Sequence, residues 1–107
     1  MNYKIHWTAN AYSDFSQTVL FIKERWGRET ATDFINRVDT VINVVSIFPQ
    51  LGKIIHPQKQ IRALIFSKQT TLVYRIKSDS IIILNLFDNR QDPDKLKVNE
   101  KISTYQV

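Results

Sequence analysis

Arg62, Tyr74, Arg75 and Arg90 are the residues of this chain whose types and spacing could do chemistry. They lie in or at the end of β-rich runs, so strand pairing can gather them on one sheet surface although they are far apart in sequence. Guanidinium groups on a rigid sheet clamp phosphates bidentately, and a tyrosine beside them stacks on a base or moves a proton. Such a set would suit RNA cleavage without a metal ion. A plainer reading stands beside it, in which each arginine pairs across strands at the surface and Tyr74, next to Val73, belongs to the core.

Other chemistries lose their support. The chain has no Cys, which removes disulfides, thiolate metal sites and cysteine nucleophiles together. His6 and His56 are isolated, and the 2 glycines form no phosphate-cradling loop. No cofactor and no metal are expected. His6 reads as a packed or surface residue of a first strand, and His56 as part of a basic loop within reach of a ligand.

The net charge of +5 is unevenly placed. Residues 1–52 balance Lys4, Lys23, Arg25, Arg28 and Arg37 against Asp14, Glu24, Glu29, Asp33 and Asp39. Residues 53–77 carry Lys53, Lys59, Arg62, Lys68, Arg75 and Lys77 with no acid. An acid-free basic segment predicts an anionic partner, either nucleic acid or the acidic surface of another protein. Lys53, Lys59, Arg62 and Arg75, together with Arg90, are the candidate target-contacting residues.

These residues must be positioned by one small domain, since 107 residues with 43% apolar composition support a single core over residues 1–107. Residues 3–7 read as a strand, and Thr8 is placed to cap a helix. Tyr12, Phe15, Val19, Ile22 and Trp26 then recur at steps of three and four, with Gly27 as the stop. A second helix is predicted over about 29–48, with Ala31, Phe34, Val38, Val41, Val45 and Phe48 on its stripe, widened by Ile35 and Ile42, and Pro49 ending it. A connection of two or three residues makes the pair an antiparallel helical hairpin. Residues 61–66, 70–76 and 80–87 are β-branched and aromatic runs between polar turns, an antiparallel meander. Residues 50–60 read as a loop, and a polar tail begins near residue 91.

The expected architecture is therefore α+β, in the order β-α-α-β-β-β, with the helical hairpin covering one face of a mainly antiparallel sheet. The last strand of the meander is apolar at both parities, so the second face also presents hydrophobic side chains. Either the polar tail folds back over it or a protein partner docks there. The start of the chain has no apolar leader and no stretch reaches the roughly 18–20 apolar residues of a membrane span, so a cytoplasmic location is expected.

Several segments together resemble a known family. They are Trp7-Thr8-Ala9-Asn10-Ala11, Phe48-Pro49-Gln50-Leu51-Gly52, Ile61-Arg62-Ala63-Leu64, Leu72-Val73-Tyr74-Arg75-Ile76 and the run from Ile83 through Asn85, Asp88 and Arg90 to Pro93. In this order, over nearly the whole chain, they are similar to the RelE/ParE superfamily of toxins from bacterial type II toxin-antitoxin (plasmid stabilisation) modules. The resemblance implies a growth-inhibiting toxin neutralised in a hetero-oligomer by a cognate antitoxin, with Ile82, Leu84 and Leu86 as candidate antitoxin-binding residues. It also implies one of two targets. ParE-like members inhibit DNA gyrase and are not enzymes in this respect, whereas RelE-like members are metal-independent ribonucleases that cut mRNA on the ribosome. Arg62 and Arg90 fall at positions resembling the catalytic basic residues of the RelE site. Thr71, however, stands where that pattern has an arginine, and the next Tyr after Arg90 is Tyr105. The ParE-like branch is therefore the expectation, with ribosome-dependent mRNA cleavage as the alternative.

Overall fold

The computed structural model describes residues 2–89. The element order is β1 (Lys4–Trp7), α1 (Ala9–Trp26), α2 (Arg28–Ile47), β2 (Lys53–His56), β3 (Ile61–Ile65), β4 (Thr70–Lys77) and β5 (Ser80–Asp88). The five strands form one sheet in the order β1-β5-β4-β3-β2. Its pairings are antiparallel except β1 with β5, which run parallel. The α+β class and the helical hairpin are as expected. The predicted loop at 50–60 contains an extra edge strand, β2, which is only four residues long. Gly52 and Pro57 bracket it, and their turn signals outweigh so short an apolar pair as Ile54 and Ile55.

Helix α1 starts at Thr8, whose hydroxyl accepts the Ala11 amide at 3.1 Å. The helices bury Ala11, Thr18 and Ile22 of α1 and Ala31, Phe34, Val38, Ile42 and Val45 of α2. They pack onto Leu72, Tyr74, Ile81, Ile83 and Leu86 of the sheet. Each such large apolar side chain contributes about 1.5–3 kcal/mol by leaving water. The buried stripe of α1 is centred one residue earlier than its apolar spacing suggests, on Ala11, Phe15, Thr18 and Ile22. Tyr12 and Trp26 accordingly stay 65% and 50% exposed, and Phe48, at the end of the α2 stripe, is also exposed.

One residue joins the helices. Gly27 ends α1 and begins α2 at φ 96° and ψ 173°. That region of backbone space is open essentially to glycine alone. Its amide donates to the Lys23 carbonyl at 3.0 Å and its carbonyl accepts from Ala31 at 3.2 Å.

Helix α1 also finishes the sheet. Strand β1 covers only Ser80 to Ile83 of β5. Beyond it, the Thr8 hydroxyl donates to the Ile83 carbonyl at 2.8 Å, with the Leu84 carbonyl at 3.2 Å. The Asp14 carboxylate accepts from the Leu86 amide at 3.1 Å and from Asn85 Nδ2 at 2.9 Å. Side chains of α1 thus take over the backbone groups that a longer β1 would have paired.

Candidate functional site

Strand register decides which candidate residues can meet. Arg62 pairs with Tyr74 across β3 and β4, and Tyr74 packs in the core beneath the helices. Both side chains therefore lie on the helix side of the sheet, where they hold the segment that follows α2. The Tyr74 hydroxyl donates to the Pro49 carbonyl at 2.7 Å and accepts from the Gly52 amide at 2.8 Å. Arg62 Nη1 donates to the carbonyls of Gln50 and Gly52 at 3.1 and 2.7 Å. Gly52 is required by this closeness, since a Cβ there would lie 2.7 Å from the Tyr74 hydroxyl oxygen.

Burial raises the Tyr74 phenol above its ordinary value of 10.0, against the smaller opposing pull of the Gly52 amide and of Arg62. A phenol kept protonated and bonded to backbone on both sides has no role as a base near neutral pH. This pair is a clasp for the 49–52 turn.

Arg75, one residue beyond Tyr74, points to the opposite, outward side and pairs there with Ile61 and Ile82. The expectation that Arg62, Tyr74 and Arg75 converge on one surface is therefore corrected: the pleat sends Arg75 away from the other two. Lys53 pairs with Ala63 and lies on the outward side. Lys59 sits in the 57–60 turn, where its amide donates to His56 Nδ1 at 3.2 Å. Arg90 and the polar tail, including the alternative in which it folds back over the outward face, lie outside the described residues.

A second correction concerns β5. Ile82, Leu84 and Leu86 should share one face by simple alternation. Tyr74 pairs with Ile83 but Val73 pairs with Asn85, so Leu84 is an extra residue in a β-bulge. Parity flips there, and Leu86, 1% exposed, joins the main core. Phe87 takes its place outside, in a small cluster with Ile61 and Val73 flanked by Ile55, Ala63 and Leu84. Next to this cluster is an open cavity of about 420 Å³ lined by Lys53, Ile55, Ala63, Ile65 and Thr71 among others. Ile65 is 71% exposed at its rim.

The outward face also holds Lys4, His6 and Lys77; the sequence reading counted Lys77 in the basic segment and took His6 as a packed or surface residue, but joined none of them to the candidate site. Their signal was the alternation in residues 3–7, where Tyr3, Ile5 and Trp7 pack inward and leave Lys4 and His6 exposed. Among the described residues no group of three or more His, Asp or Glu is placed to hold a metal ion, and no helix is long and apolar enough to cross a membrane.

The fold is similar to that of a chain from the chromosomal ParDE toxin-antitoxin system of P. aeruginosa, at TM-score 0.68 and 18% identity over 80% of this chain and 95% of that one. It is also similar to a copper-bound mutant toxin from Helicobacter pylori, at TM-score 0.52 and 17% identity over 84% and 98% of the two chains. No curated protein matches the sequence. The family described as "ParE toxin of type II toxin-antitoxin system, parDE" matches residues 5–93. A match along that length, on a fold already seen in a ParDE system, means that the chain belongs to the ParE toxin family, within the RelE/ParE superfamily.

Proposed function

We propose that this chain is the toxin of a type II module, held inactive by a cognate antitoxin in the cytoplasm, and that it arrests growth by inhibiting DNA gyrase. The observation that carries the choice of target is the split between Arg62 and Arg75. Cleavage of a phosphodiester needs its cationic and proton-transferring groups around one phosphate. Here Arg62 and Tyr74 are bonded to backbone on the helix side, while Arg75 lies on the other side of the sheet. Thr71, which the resemblance to RelE-like toxins matches to a catalytic arginine, is buried on the outward side. A toxin that works by docking on a protein needs none of that convergence.

The antitoxin is assigned to the outward apolar surface. Leu84 and Ile82 contribute from β5, and Ile65 and the cavity beside it add the exposed area that Leu86 does not supply. An apolar strip of this kind, rimmed by Lys53, suits an amphipathic segment with acidic flanks.

The test is induced expression of the chain without antitoxin in a bacterium carrying a DNA-damage reporter, beside a supercoiling assay with purified gyrase. Growth arrest with a strong reporter signal and lost supercoiling supports the proposal. Arrest with a silent reporter, intact supercoiling and fragmented mRNA overturns the gyrase assignment in favour of ribosome-dependent cleavage. Ile65→Asp is expected to weaken rescue by the antitoxin while leaving toxicity in place.

A further inference from the structure

The outward face has two halves of different chemistry. Around β2, β3 and the end of β5 it is apolar. At the other end, where β1, β5 and β4 meet at the 77–80 hairpin, it is polar and cationic. Two rows of paired residues cross it, Lys4–Ser80–Lys77 and His6–Ile82–Arg75. Tyr3, Ile5, Trp7, Ile76, Ile81 and Ile83 all pack with the helices, so the alternating residues of these strands face outward together. With strands about 4.8 Å apart and like-facing residues about 6.6–6.8 Å apart along a strand, the four basic and imidazole side chains frame an area of about 10 by 7 Å. A cleft of about 330 Å³ opens beside it, lined by His6, Lys77, Ser78, Ser80 and Ile82 among others.

Among the described residues His6, Arg75 and Lys77 make no side-chain hydrogen bond or ion pair, and Arg75 Nε is buried without an acceptor. The acid placed there among the described residues is Asp79. It lies 3.6 Å from Lys4 Nζ with both side chains about 70% exposed, and its other oxygen accepts from the Ser80 hydroxyl at 3.2 Å. An exposed pair of this kind is weak and is easily exchanged for another anion. With Lys4, Arg75 and Lys77 against Asp79, the patch keeps an excess of positive charge.

We propose that this half of the face is a phosphodiester-binding surface, on which Lys4, His6, Arg75, Lys77 and the Ser80 hydroxyl hold the backbone of a nucleic acid. A periodic frame of cations on a flat sheet matches a periodic polyanion, and the guanidinium of Arg75 matches phosphate in shape as well as charge. An acidic protein would need a larger apolar anchor than this half offers, which is the half-buried Ile82 in the frame and Trp7 at the cleft beside it. The surface is separate from the 49–52 clasp and from the apolar cavity. It serves a toxin acting on a DNA-bound enzyme or one acting on RNA alike, so it does not rest on the choice of gyrase.

The experiment is fluorescence anisotropy with the full chain, titrated against a labelled DNA duplex and a labelled single-stranded RNA of about 20 nucleotides, over a salt series from about 50 to 200 mM. Lys77→Gln is expected to lower the slope of log affinity against log salt by about 1, and the Lys4→Gln, Lys77→Gln pair by about 2. Both positions are exposed, so folding is retained, and circular dichroism verifies it. Lys23→Gln with Arg37→Gln, on the helices, leaves the slope unchanged. The same loss on both probes, or on one, supports the surface and identifies which nucleic acid it prefers. An unchanged slope in the Lys4, Lys77 pair, or no binding of either probe by the unaltered chain at about 50 mM salt, overturns it.

Discussion

Replacing Tyr74 by Phe keeps the buried ring and removes one oxygen, which makes it a clean probe of the clasp. That oxygen makes two short hydrogen bonds, to the Pro49 carbonyl and from the Gly52 amide. Each is worth about 0.5–1.5 kcal/mol net. Pro49 is half-buried and its carbonyl can regain water, but Gly52 is buried and its amide is left without an acceptor, which puts that loss at the upper end of the range. The expected cost is about 2–3 kcal/mol, a large share of the roughly 5–15 kcal/mol of a small domain. In urea unfolding followed by tryptophan fluorescence, the midpoint falls by about 1–2 M at unchanged slope.

Gly52→Ala supplies the cross-check, because its Cβ collides first with the hydroxyl oxygen at 2.7 Å and next with ring carbons at 3.0 and 3.1 Å. It should cost less in the Tyr74→Phe background than in the unaltered chain, by at least about 0.5 kcal/mol. A Tyr74→Phe cost under about 0.5 kcal/mol, or strict additivity of the two substitutions, would refute the clasp. The same variant reads the phenol's titration. Because the folded-state pKa lies above 10.0, the unfolded chain loses this proton first, so the contribution is complete below pH 10 and is lost as pH rises through the folded value. The unaltered chain should therefore lose more stability than Tyr74→Phe as pH is raised past 10.

Gly27→Ala forces a side chain into φ 96°, ψ 173° and should cost about 1–3 kcal/mol in thermal unfolding, although open space surrounds the new methyl. Asp14→Ala strands the Leu86 amide and should destabilise by about 1–3 kcal/mol, with hydrogen exchange at Leu86 accelerated ahead of the β4 amides. Leu86→Ala should cost about 2–5 kcal/mol by chemical denaturation, as a core truncation does, while Leu84→Ala costs distinctly less and mainly weakens antitoxin binding. Equal costs at the two positions would contradict the parity flip.

Most of the architecture could be read from the chain because its signals are local. Thr8, Gly27 and Pro49 punctuate the helices, and three-and-four spacing finds their buried faces while missing Thr18 and including the exposed Tyr12, Trp26 and Ile35. What escaped depended on pairing. The bulge at Leu84 is invisible in an uninterrupted apolar run, because Leu84 and Leu86 differ only in what stands opposite them on β4. The roles of Arg62 and Tyr74 were hidden for the same reason. An arginine next to a core strand reads as a ligand until the carbonyls of Gln50 and Gly52 are found within its reach. Lys4 and His6 were legible as outward residues of an alternating strand, but their nearness to Lys77 required knowing that the first strand lies beside the last.

That neighbourhood of β1 and β5 also sets an order of events during synthesis. The helical hairpin is complete by residue 47 and could form from local contacts, yet β1 has no strand beside it until Ser80 to Ile83 exist. The Thr8 hydroxyl must likewise wait for the carbonyl of Ile83, 75 residues away. Contacts of such separation form late, and a chain made from its N-terminus keeps both edges of that junction open until β5 has been made. A truncated product ending before β5 would lack both the β1–β5 and the β5–β4 pairings. The packed sheet is therefore assembled only once β5 has been made, and a product that stops before it leaves the helical hairpin without Ile81, Ile83 and Leu86 to pack on.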